Sequence, residues 1–302
     1  MIKPPFLKAG DRIRIISPAG KVNRDKIWPG LELLRAEGYD LVQGKHVFGN
    51  HFQFAATDQQ RLSDLQEALD DPQCKAIICS RGGYGSVRIA DQLNFRRFRE
   101  NPKWLVGFSD ITVLHAYLQK EGFCSIHGPM PGFYQNENQP TTSFRQLMQL
   151  LTGKLPAYSL AQASLNRPGQ ATGELCGGNL SIIYSLLGTP QQVDTTNKIL
   201  FIEDLSEYLY QLDRMMHSLK LSGSLKNLKA LLVGSFTDMK DNSSPFGSSV
   251  EEIIFDAIKE YDYPVFFNCP SGHIDENRPL LLGHRYSLAN SAGEVTLSPL
   301  PD

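Results

Sequence analysis

Through the first half of the chain, short apolar and β-branched runs alternate with segments whose apolar residues recur every three to four positions. That alternation is the pattern of a parallel sheet covered by helices. Strands are predicted at Arg12–Ser17, Lys75–Ser80, Trp104–Phe108 and Phe123–Ile126. Between the first two, the spacing predicts a helix around Asp25–Glu37, interrupted by Pro29, and a second at Asp58–Asp70. The second has Thr57 as N-cap, Gln60 at the capping-box position, and Leu62, Leu65 and Leu69 on one face, as expected of a cover helix.

The texture changes from Pro131 to Gln170, which holds four prolines, six glutamines and only four charged residues. A connecting region, with one short helical pattern near Phe144–Leu151, fits that composition. Beyond it, Asn179–Gly188 is apolar on several sides. Strands follow at Ile199–Glu203, Lys229–Gly234 and Pro264–Phe267, with helices at about Gln211–Leu221 and Ser249–Glu260. The expected organisation is an α/β protein with an N-terminal parallel-sheet domain over 1–135, a connection over 136–170 and a smaller α/β domain over 171–302.

At 302 residues the length fits two domains. Hydrophobic residues at 41% and charged residues at 21% exclude a disordered or fibrous chain. With 30 Lys and Arg against 32 Asp and Glu, the net charge is −2, which speaks against a broad basic face for nucleic acid or an anionic membrane. A small-molecule or peptide ligand is expected instead. The first twenty residues are broken by Pro4, Pro5, Lys8, Asp11, Arg12 and Arg14, unlike an export signal, and no run of 18 apolar residues occurs. The expectation is a cytoplasmic protein without a membrane partner. Five scattered cysteines without a Cys-x-x-Cys pair suggest reduced thiols, not a disulfide framework or a zinc cluster.

Two strand-to-helix junctions carry candidate chemistry. In Trp104-Leu-Val-Gly-Phe-Ser-Asp-Ile-Thr112, an apolar strand runs into a Gly-x-Ser turn and a helix. Such a turn exposes the Ser109 hydroxyl and leaves the Asp110 N–H to stabilise an oxyanion. The alternative is that Ser109 is only a helix N-cap, with Asp110 placed for the dipole. In Ser80-Arg-Gly-Gly-Tyr-Gly-Ser86, Gly82, Gly83 and Gly85 permit a sharp turn and a close approach to a ligand, although a tight turn without a ligand explains them as well. This loop lacks the spacing of a phosphate-binding or dinucleotide-binding motif. In a doubly wound sheet both junctions lie at the carboxyl edge, where ligands bind.

A serine nucleophile needs a base. Among the seven histidines, His127 and His273 each follow a short apolar strand beside glycine, while His115 and His217 fall on helices, where a surface or satisfied structural histidine is the better reading. An orienting acid is available in Glu203, placed at the end of a strand, with an exposed strand-end carboxylate as the alternative. Spacing alone does not join these groups.

Taken together, Arg81-Gly-Gly-Tyr-Gly85, Gly107-Phe-Ser-Asp-Ile-Thr112, His127-Gly-Pro, Gly177-Gly-Asn-Leu180, Glu203-Asp with Tyr210 and Asp213-Arg214, and Gly272-His273 resemble the LD-carboxypeptidases. These are muramoyltetrapeptide carboxypeptidases, a serine peptidase family that also includes microcin-C immunity peptidases. The resemblance runs in order from about Ile13 to Gly283. It implies a flavodoxin-like or glutamine-amidotransferase-like N-terminal domain with a swivelling β/α/β-type C-terminal domain. It also implies a Ser-His-Glu triad of Ser109, His273 and Glu203, with oxyanion donors from the N–H groups of Gly83 and Asp110. Substrate contacts would fall to Arg81, Gly82, Tyr84 and His127.

The implied reaction removes the terminal D-alanine of a murein tetrapeptide in peptidoglycan recycling, with no cofactor and no metal, in a homodimer whose cleft draws on both domains. Departures occur at Pro279 and Leu281 in Asn277-Arg-Pro-Leu-Leu-Leu-Gly283 and in Glu207-Tyr-Leu-Tyr210, which lacks prolines often found there. Two alternatives remain at this point. One is an immunity-type peptidase acting on a peptide-nucleotide or acyl-amino-acid conjugate; the other is a two-lobed binding protein without chemistry.

Overall fold

β3 (Cys74–Cys79) and β4 (Trp104–Gly107) are almost continuous apolar runs, as strands covered on both faces must be, whereas β1 (Arg12–Ile16) alternates Arg12 and Arg14 with buried Ile13 and Ile15. In the computed structural model, which describes residues 1–137, 139–291 and 294–301, Ile13, Ile15, Ile77, Ile78 and Val106 are fully buried. Asn138 of the expected connection, and Ala292, Gly293 and Asp302 of the expected second domain, lie outside the described residues. The chain divides into two units, Met1–Leu155 with Asp275–Leu281, and Pro156–Ile274 with Leu282–Asp302.

The first unit continues with α1 (Arg24–Ala36), β2 (Asp40–Gln43), α2 (Asp58–Asp70), α3 (Val87–Ala90) and α4 (Arg96–Glu100). After β4 come α5 (Thr112–Lys120), β5 (Ser125–His127), the short pair β6 (Gln135–Asn136) and β7 (Gln139–Pro140), and α6 (Thr142–Leu151). Its six-stranded sheet has the order β13-β5-β4-β3-β1-β2, where β13 is Leu280–Leu282. β1 pairs in parallel with β2 and β3, β3 with β4, and β4 with β5. Ile16 stands opposite Cys79, Ile78 opposite Val106, and Gly107 opposite His127, so the loops leaving these strands emerge along one edge.

Two expectations for this unit are corrected. α1 is not interrupted: Pro29 removes one N–H from the helix, but burial of Ile27, Leu31 and Leu34 holds the helix through it. The inward face of α2 is also not purely apolar. Its capping box between Thr57 and Gln60 forms as expected, yet Arg61 and Asp64 are buried beside Leu65 and Leu69 while Leu62 is half-buried. Asp64 accepts the His46 backbone N–H at 2.7 Å and sits 2.9 Å from His46 Nδ1, so its burial is compensated.

The second unit comprises β8 (Tyr158–Leu160), β9 (Gln170–Asn179), α7 (Leu180–Ser185), β10 (Ile199–Leu205), α8 (Leu209–Leu221) and β11 (Ala230–Thr237). It ends with α9 (Val250–Ile258), β12 (Val265–Phe266), β14 (Arg285–Ser291) and β15 (Glu294–Pro299). Its seven strands run β12-β11-β10-β9-β14-β15-β8. The β12-β11-β10-β9 part is parallel, and the β9-β14-β15-β8 part antiparallel. β9 serves both: Leu175–Asn179 pair with β10, and Gln170–Glu174 with β14. No helix among the described residues is long and apolar enough to cross a membrane.

Candidate active site

Ser109 follows β4 and opens a 3-10 turn, Ser109–Ile111, that leads into α5. Its φ is +65°, a left-handed conformation that costs a non-glycine residue energy and is held only by its surroundings. The hydroxyl caps neither the turn nor α5, so the N-cap reading does not describe this serine. The turn lies just beyond the carboxyl end of β4, and Ser109 is half-buried there.

The glycine loop is fitted against that turn. A Cβ at Gly82 would stand 2.8 Å from Ser109 Cβ and 3.0 Å from its Oγ, closer than a side chain tolerates. Gly83, at φ +100°, lies beside Gly20, and the Gly20 N–H donates to the Gly82 carbonyl at 3.0 Å. The Ser86 N–H donates to Asp110 Oδ2 at 2.8 Å, tying the loop to the serine turn. Burial raises the Asp110 carboxyl above its ordinary value, and the Ser86 bonds partly offset this.

Below the loop, Arg61 is 1% exposed. It donates to the carbonyls of Pro18, of Gly85 at 2.9 Å and of Ala56 at 3.2 Å, and pairs with Asp58. One guanidinium thereby fixes the loops after both β1 and β3.

The other candidates of the first unit are spread around these loops. The Arg81 guanidinium donates to the Lys21 carbonyl at 2.8 Å, and the Tyr84 ring is 48% exposed. His127 is instead fully buried at the end of β5, edge-on to Phe108 with ring centres 5.9 Å apart, so its ring belongs to the interior. His115 is a structural histidine, as expected: its Nδ1 is 2.9 Å from Ser125 Oγ and its Nε2 2.9 Å from the Gly107 carbonyl. Burial lowers its pKa to about 4, so the neutral ring satisfies both partners.

In the second unit, Glu203 is not at a strand end and is not exposed. β10 continues to Leu205, and Glu203 is 0% exposed where the pairing of β10 with β11 shifts register between Ile202 and Asp204. Its Oε2 lies 2.7 Å from His273 Nδ1. Gly272, at φ +125°, makes that approach possible, because a Cβ there would stand 2.9 Å from Glu203 Oε2. The His273 loop is held to β11 by Thr237 Oγ1, which donates to the His273 carbonyl at 3.2 Å, and by the Ser235 N–H, which donates to the Ser271 carbonyl at 3.0 Å.

Asp204 faces the other way. It accepts from Asn179 Nδ2 and from the Leu205 N–H, both at 2.9 Å, and from the Ser181 N–H at 2.8 Å. Burial, with the neighbouring Glu203 charge, raises its pKa to about 7.

Sequence reasoning missed three of these supports: Arg61, the Asp110 side chain and Asp204. A signal existed for Arg61, which sits on the same i, i+4, i+8 stripe as Leu65 and Leu69. Among the described residues, no group of three or more His, Cys, Asp or Glu side chains is arranged to hold a metal ion.

Residues 13–128 match the LD-carboxypeptidase N-terminal domain, and residues 172–288 the LD-carboxypeptidase C-terminal domain. The chain is 35% identical over 291 residues to the probable murein peptide carboxypeptidase of Bacillus subtilis, covering 95% of this chain and 91% of that protein. It superposes with a TM-score of 0.86 on the crystal structure of muramoyltetrapeptide carboxypeptidase from Oxalobacter formigenes, at 30% identity over 96% of this chain and 99% of the other. The microcin C7 self-immunity protein MccF shares the fold, with a TM-score of 0.86 at 21% identity and 98% coverage of both chains. With both family domains matched in order, the chain belongs to the LD-carboxypeptidase family and is a serine-type carboxypeptidase.

Proposed function

We propose that the chain releases the terminal D-alanine from murein tetrapeptide, hydrolysing the bond between the L-centre of the diamino acid and D-alanine, with Ser109, His273 and Glu203 as its triad. The observation that carries this reading is the 2.7 Å contact between His273 Nδ1 and the fully buried Glu203 Oε2. A carboxylate on Nδ1 fixes the imidazole tautomer and directs Nε2 to proton transfer. Ser109 supports the reading from its left-handed turn beside the glycine loop. The names of the relatives fit a murein peptide as substrate.

In the proposed reaction, Ser109 Oγ attacks the scissile carbonyl while His273 takes its proton. The Gly83 and Asp110 N–H groups stabilise the oxyanion. Collapse breaks the C–N bond, and His273 returns the proton to the leaving D-alanine amine. Water, activated by the same imidazole, then hydrolyses the acyl-enzyme and restores Ser109. No step needs an oxidant or reductant. The setting proposed is the cytoplasm, in recovery of cell-wall peptides, and the assembly a homodimer; sedimentation of the purified protein tests the latter.

Mass spectrometry of the purified protein incubated with tetrapeptide and pentapeptide stems tests the function. Loss of one alanine from the tetrapeptide alone is the expected result, abolished in Ser109→Ala. A wild type that leaves the tetrapeptide intact, or a Ser109→Ala variant with full activity, rejects the proposal. An aminoacyl-nucleotide conjugate run in parallel distinguishes the immunity-type alternative, which requires its cleavage.

A further inference from the structure

The strand order β2-β1-β3-β4-β5 places a topological switch between β1 and β3. The chain leaves β1 toward β2 and returns to β3 on the other side, and such a switch is where ligands bind, at the carboxyl edge of the sheet. A cavity of about 480 Å³ lies there. One wall is Asn23, Lys26 and Ile27, at the start of α1; another is Ser80 and Arg81, immediately after β3; Phe133 contributes from the segment after β5.

The charge of the cavity is one-sided. Lys26 and Arg81 both line it and no carboxylate does. Among the described residues, neither cation is in a salt bridge, although Arg12, Arg14, Arg35, Arg61, Arg88 and Arg99 of the same unit all are. The bond from Arg81 to the Lys21 carbonyl anchors the guanidinium without neutralising it. Two uncompensated cations in one cavity are the arrangement that an anionic group would complete.

The position of the cavity relative to Ser109 identifies that group. Arg81 precedes Gly82, whose backbone is packed against Ser109. In a peptide cleaved at its last bond, the C-terminal carboxylate lies one residue beyond the scissile carbonyl, within about 3.6 Å of chain. A loop adjoining the nucleophile is where its partner has to be.

We propose that this cavity is the leaving-residue subsite and that Arg81 and Lys26 are specificity-determining cations for the C-terminal carboxylate of the peptide. The assignment rests on the carboxypeptidase reading above and extends it. It explains restriction to the last residue: a C-terminal amide loses the charge, and a longer peptide carries it past the two cations.

The test compares kcat/KM for a tetrapeptide and its C-terminal amide in the wild type, Arg81→Met, Arg81→Lys and Lys26→Met. The wild type should prefer the free acid. Arg81→Met should narrow that preference roughly 10–100-fold, the value of a charge-assisted bond, through KM for the acid. Lys26→Met should narrow it less, and Arg81→Lys should retain part of it. Lys26 is exposed on α1, so its variant remains informative should Arg81→Met fail to fold. An unchanged preference in both Met variants, or an equal loss for acid and amide, overturns the subsite. A wild type that releases no D-alanine from either substrate overturns the underlying reading instead, before any variant is compared.

Discussion

Asp110 accepts the backbone N–H of Ser86 at 2.8 Å and so joins the Ser109 turn to the glycine loop. Both proposed oxyanion donors, the N–H groups of Gly83 and Asp110, lie on the two segments this bond connects. Asp110→Ala leaves a buried N–H without its acceptor and should cost about 1–3 kcal/mol. Because a displaced oxyanion donor costs about 10²–10³ in kcat, the Ala variant should lose on the order of tenfold or more in kcat with little change in KM. Asp110→Asn retains an acceptor oxygen and should recover most of both. Thermal melting and steady-state kinetics on the pair test the coupling. Full kcat in Asp110→Ala would show that the loop holds its shape without it.

Arg61 makes a stronger demand on the same loops. Replacing it with Met takes the buried guanidinium from the carbonyls of Pro18, Ala56 and Gly85, of which Gly85 keeps the Arg88 N–H at 3.2 Å. Removing one partner from a buried charged network costs about 3–5 kcal/mol. Asp58 keeps Arg88, whose Nη2 lies 2.6 Å away, so the loss falls chiefly on the loop carbonyls. Arg61→Met should lower the melting temperature by several degrees and reduce activity, and Arg61→Lys should rescue little, because an ammonium lacks the planar fork. A melting temperature equal to wild type in Arg61→Met contradicts this account.

Two buried groups should make stability depend on pH in opposite directions. His115 has its pKa lowered from 6.5 to about 4, so its contribution is full above pH 6.5 and lost as the pH falls through 4. Asp204 has its pKa raised from 3.8 to about 7, so its contribution is full below pH 3.8 and lost as the pH rises through 7. At about 1.4 kcal/mol per tenfold change in proton affinity, each amounts to roughly 3–4 kcal/mol. Between pH 4 and 6.5 the two slopes largely cancel. His115→Gln should therefore grow more stable on acidification across this window, and Asp204→Asn less stable. Denaturation midpoints at pH 4.5, 5.5 and 6.5 measure both slopes, and parallel profiles for the two variants would rule out this pairing of causes.

The parts of the fold legible in the sequence were those written by local pattern. β3 and β4 are nearly unbroken apolar runs, α2 carries its capping box in four residues, and Gly107-Phe-Ser109 states the turn it makes. The antiparallel part of the second sheet was not legible. In β14 and β15, Tyr286 and Leu288, and Val295 and Leu297, alternate inward, and their stability comes from pairing with β9 and β8, far away in sequence. The depth of Glu203 was hidden for the same reason: a strand-end carboxylate and a buried one read alike until a distant His273 is brought against it. Arg61 was masked by charge, since its burial depends on carbonyls supplied by two loops.

The buried position of Glu203 yields a further prediction about catalysis. Its Oε2 faces His273 Nδ1 across 2.7 Å, and in the proposed reaction a carboxylate there accepts the Nδ1 proton and stabilises the imidazolium formed during attack. Glu203→Gln preserves shape but offers either a donor or a neutral acceptor. The tautomer with the proton on Nε2 is then no longer disfavoured, and that tautomer cannot take the Ser109 proton. Loss of about 10³–10⁴ in kcat is expected, with KM almost unchanged and the fold intact, since neutralising a fully buried carboxylate relieves its desolvation. Glu203→Asp, one methylene shorter, should recover only part of the rate because it withdraws the carboxylate from Nδ1. Combining Glu203→Gln with Ser109→Ala should cost little beyond Ser109→Ala alone, because groups acting as one unit are not additive. Additive losses in the double variant would mean that Glu203 supports the fold around His273 and not the chemistry at Ser109.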